Sequence, residues 1–309
     1  MPSPILSIGL PVYNREKFLR QSLDALLDQT FATFDLIISD NASTDGTEDI
    51  CREYARRDER IRYYRNPSNI GAPRNFNRTF ELSSTKYFKW ATSDDLCGPQ
   101  FLELALGVLE RDPTVVLCYA KSMTIAEDGS PLEDYEDQLH LVEANASQRF
   151  MRLLTSIRLC HQHQGVIRSA ALRQTGMLKD HISSDVNLLA ELTLYGKFYE
   201  LPQRLFLRHL HPDASSWERT NMVRQMEFYD PGKIHGIVLH SCREHVAYLG
   251  AVRRAPIGFR EKAVLYRFVL RRMIKNRGRL DRELRLKAKV LVDRVTQRRS
   301  THGGVDSTS

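Results

Sequence analysis

The sequence predicts an α/β protein: a mainly parallel sheet flanked by helices, followed by a helical C-terminal extension. Three observations carry this. Short apolar runs alternate with amphipathic stretches from Leu6 to Ala120. The second and fourth of those runs close on acidic turns, Asp40-Asn41-Ala42-Ser43-Thr44-Asp45-Gly46-Thr47 and Ser93-Asp94-Asp95. Charge then shifts: Arg243 to Arg299 holds 18 Lys/Arg against 5 Asp/Glu, in a chain of 309 residues with net charge +7.

The elements follow in order. Leu6 to Val12 reads as a strand. Glu16 to Gln29 has Phe18, Leu19, Leu23, Leu26 and Leu27 on one helical face. Phe34 to Ser39 is a second strand. Thr47 to Asp58 is a helix, with Thr47 as N-cap and Glu48 and Asp49 in its first turn. Ile61 to Arg65 is a strand, Asn66 to Gly71 a loop and Ala72 to Leu82 a helix. Tyr87 to Thr92 is a fourth strand, Pro99 to Arg111 a helix and Val115 to Ala120 a fifth strand. Strict strand–helix alternation implies parallel strands with helices on both faces. Further on, Asp128-Gly129-Ser130 reads as a hairpin turn and Ala146 to Ser156 as a helix. Gly165 to Ile167 reads as a strand, Asp185 to Leu194 as a helix, and Lys197 to Glu200 and Leu205 to His209 as two strands. From Asn221 the pattern is helical, with basic amphipathic helices around Val264–Met273 and Leu284–Val295. The expected division is 1–215, the α/β domain that carries the strand-end acids; 216–299, a basic helical region; and 300–309, a disordered tail.

Composition bounds the setting. Hydrophobic content of 42% and charged content of 27% are ordinary for a globular protein. No apolar run approaches the roughly 18 residues of a spanning helix. Residues Met1 to Ser7 lack the pattern of a secretion signal. Cys51, Cys97, Cys118, Cys160 and Cys242 form no CxxC pair, which fits reduced thiols and a cytoplasmic location.

Chemistry concentrates at the strand ends, where open α/β sheets bind ligands. Residue types and spacing there suggest a nucleotide pocket. Adjacent carboxylates such as Asp94 and Asp95 repel unless a cation or donors balance them. Mg²⁺ or Mn²⁺, which prefers oxygen and phosphate ligands, is the usual balance. Each acid also has a plainer reading: Asp40 as an Asx-turn, Asp94-Asp95 as a solvated turn before a helix, and Asp185 as an acid favoured by a helix N-terminus.

Taken in order, the pieces resemble the family 2 glycosyltransferases of GT-A fold. The matching residues are Pro11-Val12-Tyr13-Asn14; Asp40 to Thr47; Arg65-Asn66 with Asn69-Ile70-Gly71; and Ser93-Asp94-Asp95. The resemblance covers residues 5–125 and continues more weakly to Ser216 through Asp185 to Leu192 and Arg208-His209-Leu210-His211. It implies inverting transfer from a nucleotide diphosphate sugar, a UDP-sugar, to a hydroxyl acceptor in a polysaccharide, glycolipid or glycoconjugate. Pro11, Tyr13 and Asp40 would bind the base. Asn14, Asn41, Asn69, Asn77 and Ser93 would line the nucleotide site. Asp94, with Asp95 and His211, would hold the divalent metal, and Asp185 would be the general base. Thr92 stands where the family's motif has its first acid, so that position supplies a hydroxyl and no charge.

His161 and His163 form an HxH without a third ligand in register and read as surface or acceptor-cleft residues. Trp90 reads as core, and Trp217 as a packing or sugar-stacking residue. The basic C-terminal helices admit three readings: peripheral contact with the inner face of a membrane, contact with an anionic acceptor such as a lipid-linked diphosphate glycan, or a solvated face. No nucleic-acid motif accompanies the charge, so no nucleic-acid partner is expected. A nucleotidyltransferase is a rival reading, weakened because Val12-Tyr13-Asn14-Arg15 has no glycine. A non-catalytic sugar-nucleotide or glycan-binding protein is another.

Overall fold

One mixed sheet runs through the described residues, its strands in the order Ile61–Arg65, Phe34–Asp40, Leu6–Val12, Tyr87–Trp90, Val166–Arg168, Val115–Ile125, Lys197–His209 and Leu96–Cys97, with Pro131–Tyr135 paired to Val115–Ile125. The computed structural model describes residues 3–136, 138–211, 228–229, 239–285 and 287–288. The expectations for Trp217, for the start of the C-terminal helices at Asn221 and for the tail Ser300 to Ser309 lie outside the described residues.

The first half matches the alternation in the sequence. β1 (Leu6–Val12), α1 (Glu16–Leu27), β2 (Phe34–Asp40), α2 (Thr47–Arg57), β3 (Ile61–Arg65), α3 (Ala72–Glu81) and β4 (Tyr87–Trp90) follow in turn. All pairings among these four strands are parallel. Their carboxyl ends therefore share one edge of the sheet. Thr47 is the first helical residue of α2 and Gly46 its N-cap, one place from the expected cap. Gly9 lets α3 sit close on β1: a Cβ there would come within 2.4 Å of Thr79 Oγ1. β1 pairing with β4 ends at Gly9↔Trp90. Pro11, two residues on and facing the same neighbour, has no N–H to continue that ladder. The two strands part there and open the edge.

The second half is mixed. β5 (Leu96–Cys97), α4 (Phe101–Arg111), β6 (Val115–Ile125), β7 (Pro131–Tyr135), α5 (Ala146–Ser156), a 3₁₀ turn (His161–Gln164), β8 (Val166–Arg168), α6 (Ser169–Leu172), α7 (Ser184–Leu192) and β9 (Lys197–His209) complete the sheet region. β8 runs antiparallel between β4 and β6, whereas β6 and β9 are parallel. Two departures from the sequence reading have physical causes. The two expected strands around Pro202 form one continuous β9, because the ladder shifts register where Ala120↔Leu201 gives way to Lys121↔Arg204. That irregularity removes the need for an N–H at proline. The strand expected to stop at Ala120 continues to Ile125, since β7 and β9 flank its polar end on both sides. Two-residue β5, absent from the expectation, pairs with Phe206 and Leu207 of β9.

Two apolar cores lie on opposite faces of the sheet. One joins α1, α2 and α4 to the strands through Leu19, Leu23, Cys51, Leu102 and Leu106. The other holds Trp90, Phe150, Leu189 and Phe198. Helices α8 (His240–Arg254) and α9 (Phe259–Lys275) enter this second core through Tyr248, Val252, Leu265 and Val269. Asn187 of α7 donates to the Glu244 carbonyl of α8, and Arg254 of α8 forms two bonds to Glu191 of α7. No helix among the described residues is long and apolar enough to cross a membrane.

Candidate active site

The loops that leave β1, β2 and β4 meet at the shared edge. The first two are stitched together by side chains. Asn14 and Ala42 both adopt left-handed backbone, φ 51° and 64°. The Asn14 N–H donates to Ser43 Oγ, and the Thr44 N–H donates to Asn14 Oδ1. The Arg15 N–H donates to Thr47 Oγ1. Tyr13 is left on the rim, 41% exposed, while Pro11 is buried in the strand.

Asp40 is fully buried at the end of β2. Oδ1 accepts the Ser43 N–H at 2.9 Å. Oδ2 accepts from Tyr63 Oη at 2.8 Å and from Arg65 at 2.5 Å. Asp40 and Arg65 are register partners in the β2–β3 ladder, which sets the pair. Burial and the bond to Asp40 raise the Tyr63 hydroxyl above its ordinary range. A carboxylate offers about four lone-pair sites, so one more donor can be received.

Behind it lies a chain of carboxamides. Asn41 donates to Asn69 and accepts from Asn66 and from the Ile70 N–H. Asn41 and Asn69 therefore shape the loop after β3 as well as bordering the edge. Asn77 departs from expectation. Its carboxamide is spent on the Leu178 backbone, donating to the carbonyl and accepting from the N–H. It ties α3 to the segment before α7 instead of facing a nucleotide.

The turn after β4 carries Thr92, buried Ser93, Asp94 and Asp95. Asp94 and Asp95 have opposite environments. Asp94, with a side chain 16% exposed, faces His211, Oδ2 to Nε2 at 3.3 Å. Burial works against its charge, but the His211 bond and the Arg15 guanidinium outweigh it and hold the carboxyl below its usual range. Asp95 is turned inward: the His209 N–H donates to Oδ1 at 3.1 Å and Thr92 Oγ1 to Oδ2 at 2.6 Å. Burial, then the neighbouring Asp94 charge, push it up to about 7. The Thr92 hydroxyl thus supports Asp95 rather than contacting ligand. His209 Nδ1 bonds the Asp94 carbonyl, and Phe18 packs on both histidines with ring centroids 5.4 Å and 4.5 Å away.

Among the described residues no three His, Cys, Asp or Glu side chains converge as a metal cluster. Asp94 and His211 do present a carboxylate and a ring nitrogen to one point. Such a donor pair suits a divalent cation that takes its remaining ligands from phosphate oxygens and water. Asp95 is turned away from that point, toward the His209 N–H and Thr92.

Asp185 stands apart, in the first turn of α7. The residue before that helix, Ser183, adopts left-handed backbone with φ 65°. This costs of order 1–3 kcal/mol and is common at functional turns. Asp185 Oδ1 accepts the Val186 N–H, and the side chain is partly exposed. His163 belongs to the 3₁₀ turn that packs against α7. Burial lowers it to about 4, with the Asp185 charge opposing.

The two HxH histidines are buried, not on the surface. His161 Nε2 lies 2.9 Å from Arg208 Nη1, and its Nδ1 lies 2.6 Å from Ser122 Oγ. Arginine can only donate, so Nε2 accepts and Nδ1–H donates to Ser122. Burial, aided by Arg208, keeps the ring neutral. No local pattern signals this network or the His163 environment, since both depend on contacts across distant segments. The Asp40–Arg65 pair did have a signal: both residues end adjacent parallel strands.

The family described as glycosyl transferase family 2 matches residues 7–176, and the chain belongs to it. An uncharacterized glycosyltransferase of Methanocaldococcus jannaschii is 28% identical over 140 residues, 45% of this chain and 48% of that protein. Chondroitin synthase of Escherichia coli is 25% identical over 228 residues, 73% of this chain and 32% of that protein. The chain thus spans half or less of the length of these relatives. S. aureus TarS 1–349, solved with UDP, superposes with a TM-score of 0.62 at 16% identity, over 87% of this chain and 71% of that one. The mannosyltransferase PcManGT from Pyrobaculum calidifontis, solved with GDP-Man and Mn²⁺, gives 0.54 at 14% identity, over 94% of this chain and 86% of that one. The fold is GT-A.

Proposed function

We propose that the protein transfers a sugar, with inversion, from a UDP-sugar to a hydroxyl acceptor in polysaccharide, glycolipid or glycoconjugate synthesis. One observation carries the reading: two acids are separated by environment. Asp94 is held ionised beside His211 at the end of β4, and partly exposed Asp185 sits at the head of α7. Relatives and neighbours support it, since chondroitin synthase makes a polysaccharide by its name and TarS was solved with UDP.

Tyr13 on the rim offers a face for the base, and Asp40 accepts from its ring. Asp94 and His211 would hold Mg²⁺ or Mn²⁺, which supplies positive charge to the departing diphosphate. Asp185 takes the proton from the acceptor hydroxyl as that oxygen bonds to the anomeric carbon. The glycosidic electron pair leaves with the diphosphate. Asp185→Asn is the test. UDP binding should persist while transfer falls by about 10²–10⁴-fold. Unchanged transfer would remove Asp185 from the base role.

Peripheral membrane contact belongs to the same reading. α9 exposes Phe259 at 86% and Ile274 at 62% among Arg260, Arg267, Arg271 and Lys275. Apolar residues interleaved with cations suit an anionic bilayer surface.

A further inference from the structure

A cavity of about 820 Å³ opens between the 176–181 segment, α7 and α8, with Tyr266 of α9 at one end. It shares no residue with the Asp94–His211 edge.

Its charge is one-sided. Two acids border it, and both are already neutralised: Asp180 pairs with Arg74 at 2.7 Å, and Glu191 takes two bonds from Arg254. Three further cations border it: Lys179, Arg243 and Arg253. None forms an ion pair with a carboxylate among the described residues. All three are exposed. Among the described residues the Arg243 guanidinium donates to the Asp180 carbonyl.

Its wall is apolar. Met177, Leu188, Ala247 and Leu249 line it, and Val246 stands 65% exposed at its border. Val246 thus sets an aliphatic side chain beside the exposed cations at the mouth of the groove. One polar group is also unfilled. Asn187 is only 7% exposed and lines the cavity, and its Oδ1 has no partner among the described residues. That oxygen calls for a hydroxyl or amide donor.

We infer that this groove binds a phosphate-bearing amphiphile, its anionic head on Lys179, Arg243 and Arg253 and its aliphatic chain along Leu188, Val246 and Leu249. Guanidinium groups match phosphate oxygens in geometry and charge. Asn187 lies two residues beyond Asp185 on α7, about 200° further around the helix axis, so the groove opens on a different face of that helix from Asp185. Such a ligand site lies beyond the transferase reading and does not rest on it.

Binding is measured without donor or turnover, by calorimetry with decyl phosphate below its micellar concentration, decyl maltoside and inorganic phosphate. Decyl phosphate should bind at least about tenfold tighter than either of the others, the margin expected of a charge-assisted bond added to apolar contact. The Arg243→Gln/Arg253→Gln double variant should weaken it about tenfold or more, with UDP affinity unchanged. Val246→Asp, at an exposed position that folding does not depend on, should weaken it as well. Equal affinity for decyl phosphate and inorganic phosphate, or indifference to these variants, overturns the inference. If UDP fails to bind while decyl phosphate still depends on Arg243 and Arg253, the donor reading falls and the groove stands.

Discussion

The imidazole of His163 lies flat on the indole of Trp90, ring centroids 4.6 Å apart and planes 6° from parallel. Phe88 meets the same indole edge-on at 5.1 Å, and the Trp90 N–H donates to the Phe76 carbonyl. Trp90 thus joins the core to the turn beside Asp185. Trp90→Ala should cost about 3–5 kcal/mol, read as a lower urea midpoint. Trp90→Phe should cost less, because the Phe76 carbonyl loses the indole N–H but keeps the Thr79 hydroxyl. A midpoint unmoved by Trp90→Ala would contradict this packing.

Acid should unfold the protein early. Burial is the leading cause that holds His161 near 3 and His163 and His240 near 4, each below the ordinary 6.5. The unfolded chain binds these protons first, so the stability they contribute is full above about pH 6.5 and is lost as pH falls through about 4 for His163 and His240 and about 3 for His161. Urea midpoints across that window should fall steadily. His161→Gln should flatten the slope. An unchanged slope would mean that His161 is not held neutral.

Metal dependence should separate Asp94 from Asp95. Asp94→Asn and His211→Ala should each abolish any Mn²⁺ enhancement of UDP binding. Asp95→Asn should leave the enhancement largely in place, because Thr92 and the His209 N–H hold that side chain inward. UDP titrations with and without Mn²⁺ decide, and equal loss in all three variants would place Asp95 among the ligands.

The buried Asp40 carboxylate should depend on β3. Tyr63→Phe removes one bond to Asp40 and should cost about 0.5–1.5 kcal/mol. Arg65→Gln leaves the buried carboxylate without its cation, so it should destabilise further and weaken UDP binding. Calorimetry and denaturant melts on the two variants test the order.

Vesicle binding should follow the exposed side of α9. Co-sedimentation should require anionic lipid and weaken with salt. Phe259→Asp with Ile274→Asp should release the protein from vesicles without altering UDP affinity. Both residues are solvent-facing, so folding should survive.

Much of the first half of the sheet was legible because its signals are local. Asp40 and Asp94 end apolar runs, and a strand followed by a helix fixes which edge those ends share. Glycine- and Asx-rich turns mark the boundaries for the same reason. What stayed hidden depends on pairing across distance. Pro202 reads locally as a strand break, yet a register shift on β6 absorbs it. Asn77 carries a nucleotide-contact chemistry that the Leu178 backbone consumes first. His161 and His163 look exposed in a polar tetrapeptide, but β6, β9 and Trp90 close over them. Asp94 and Asp95 are indistinguishable in sequence, and only the return of β9 to His209 and His211 separates them.

The packing of α8 and α9 bears on how this protein can be cut and recombined. Tyr248, Val252, Leu265 and Val269 fill the same core as Phe150 and Leu189, so the family-matching segment 7–176 is not a portable module. A chain ended at 215 would bare that core and free the helix that carries Asp185. Fusions and shortened versions should therefore keep every residue through Lys275, and any lineage that exchanged this C-terminal part would have had to replace a core wall with it.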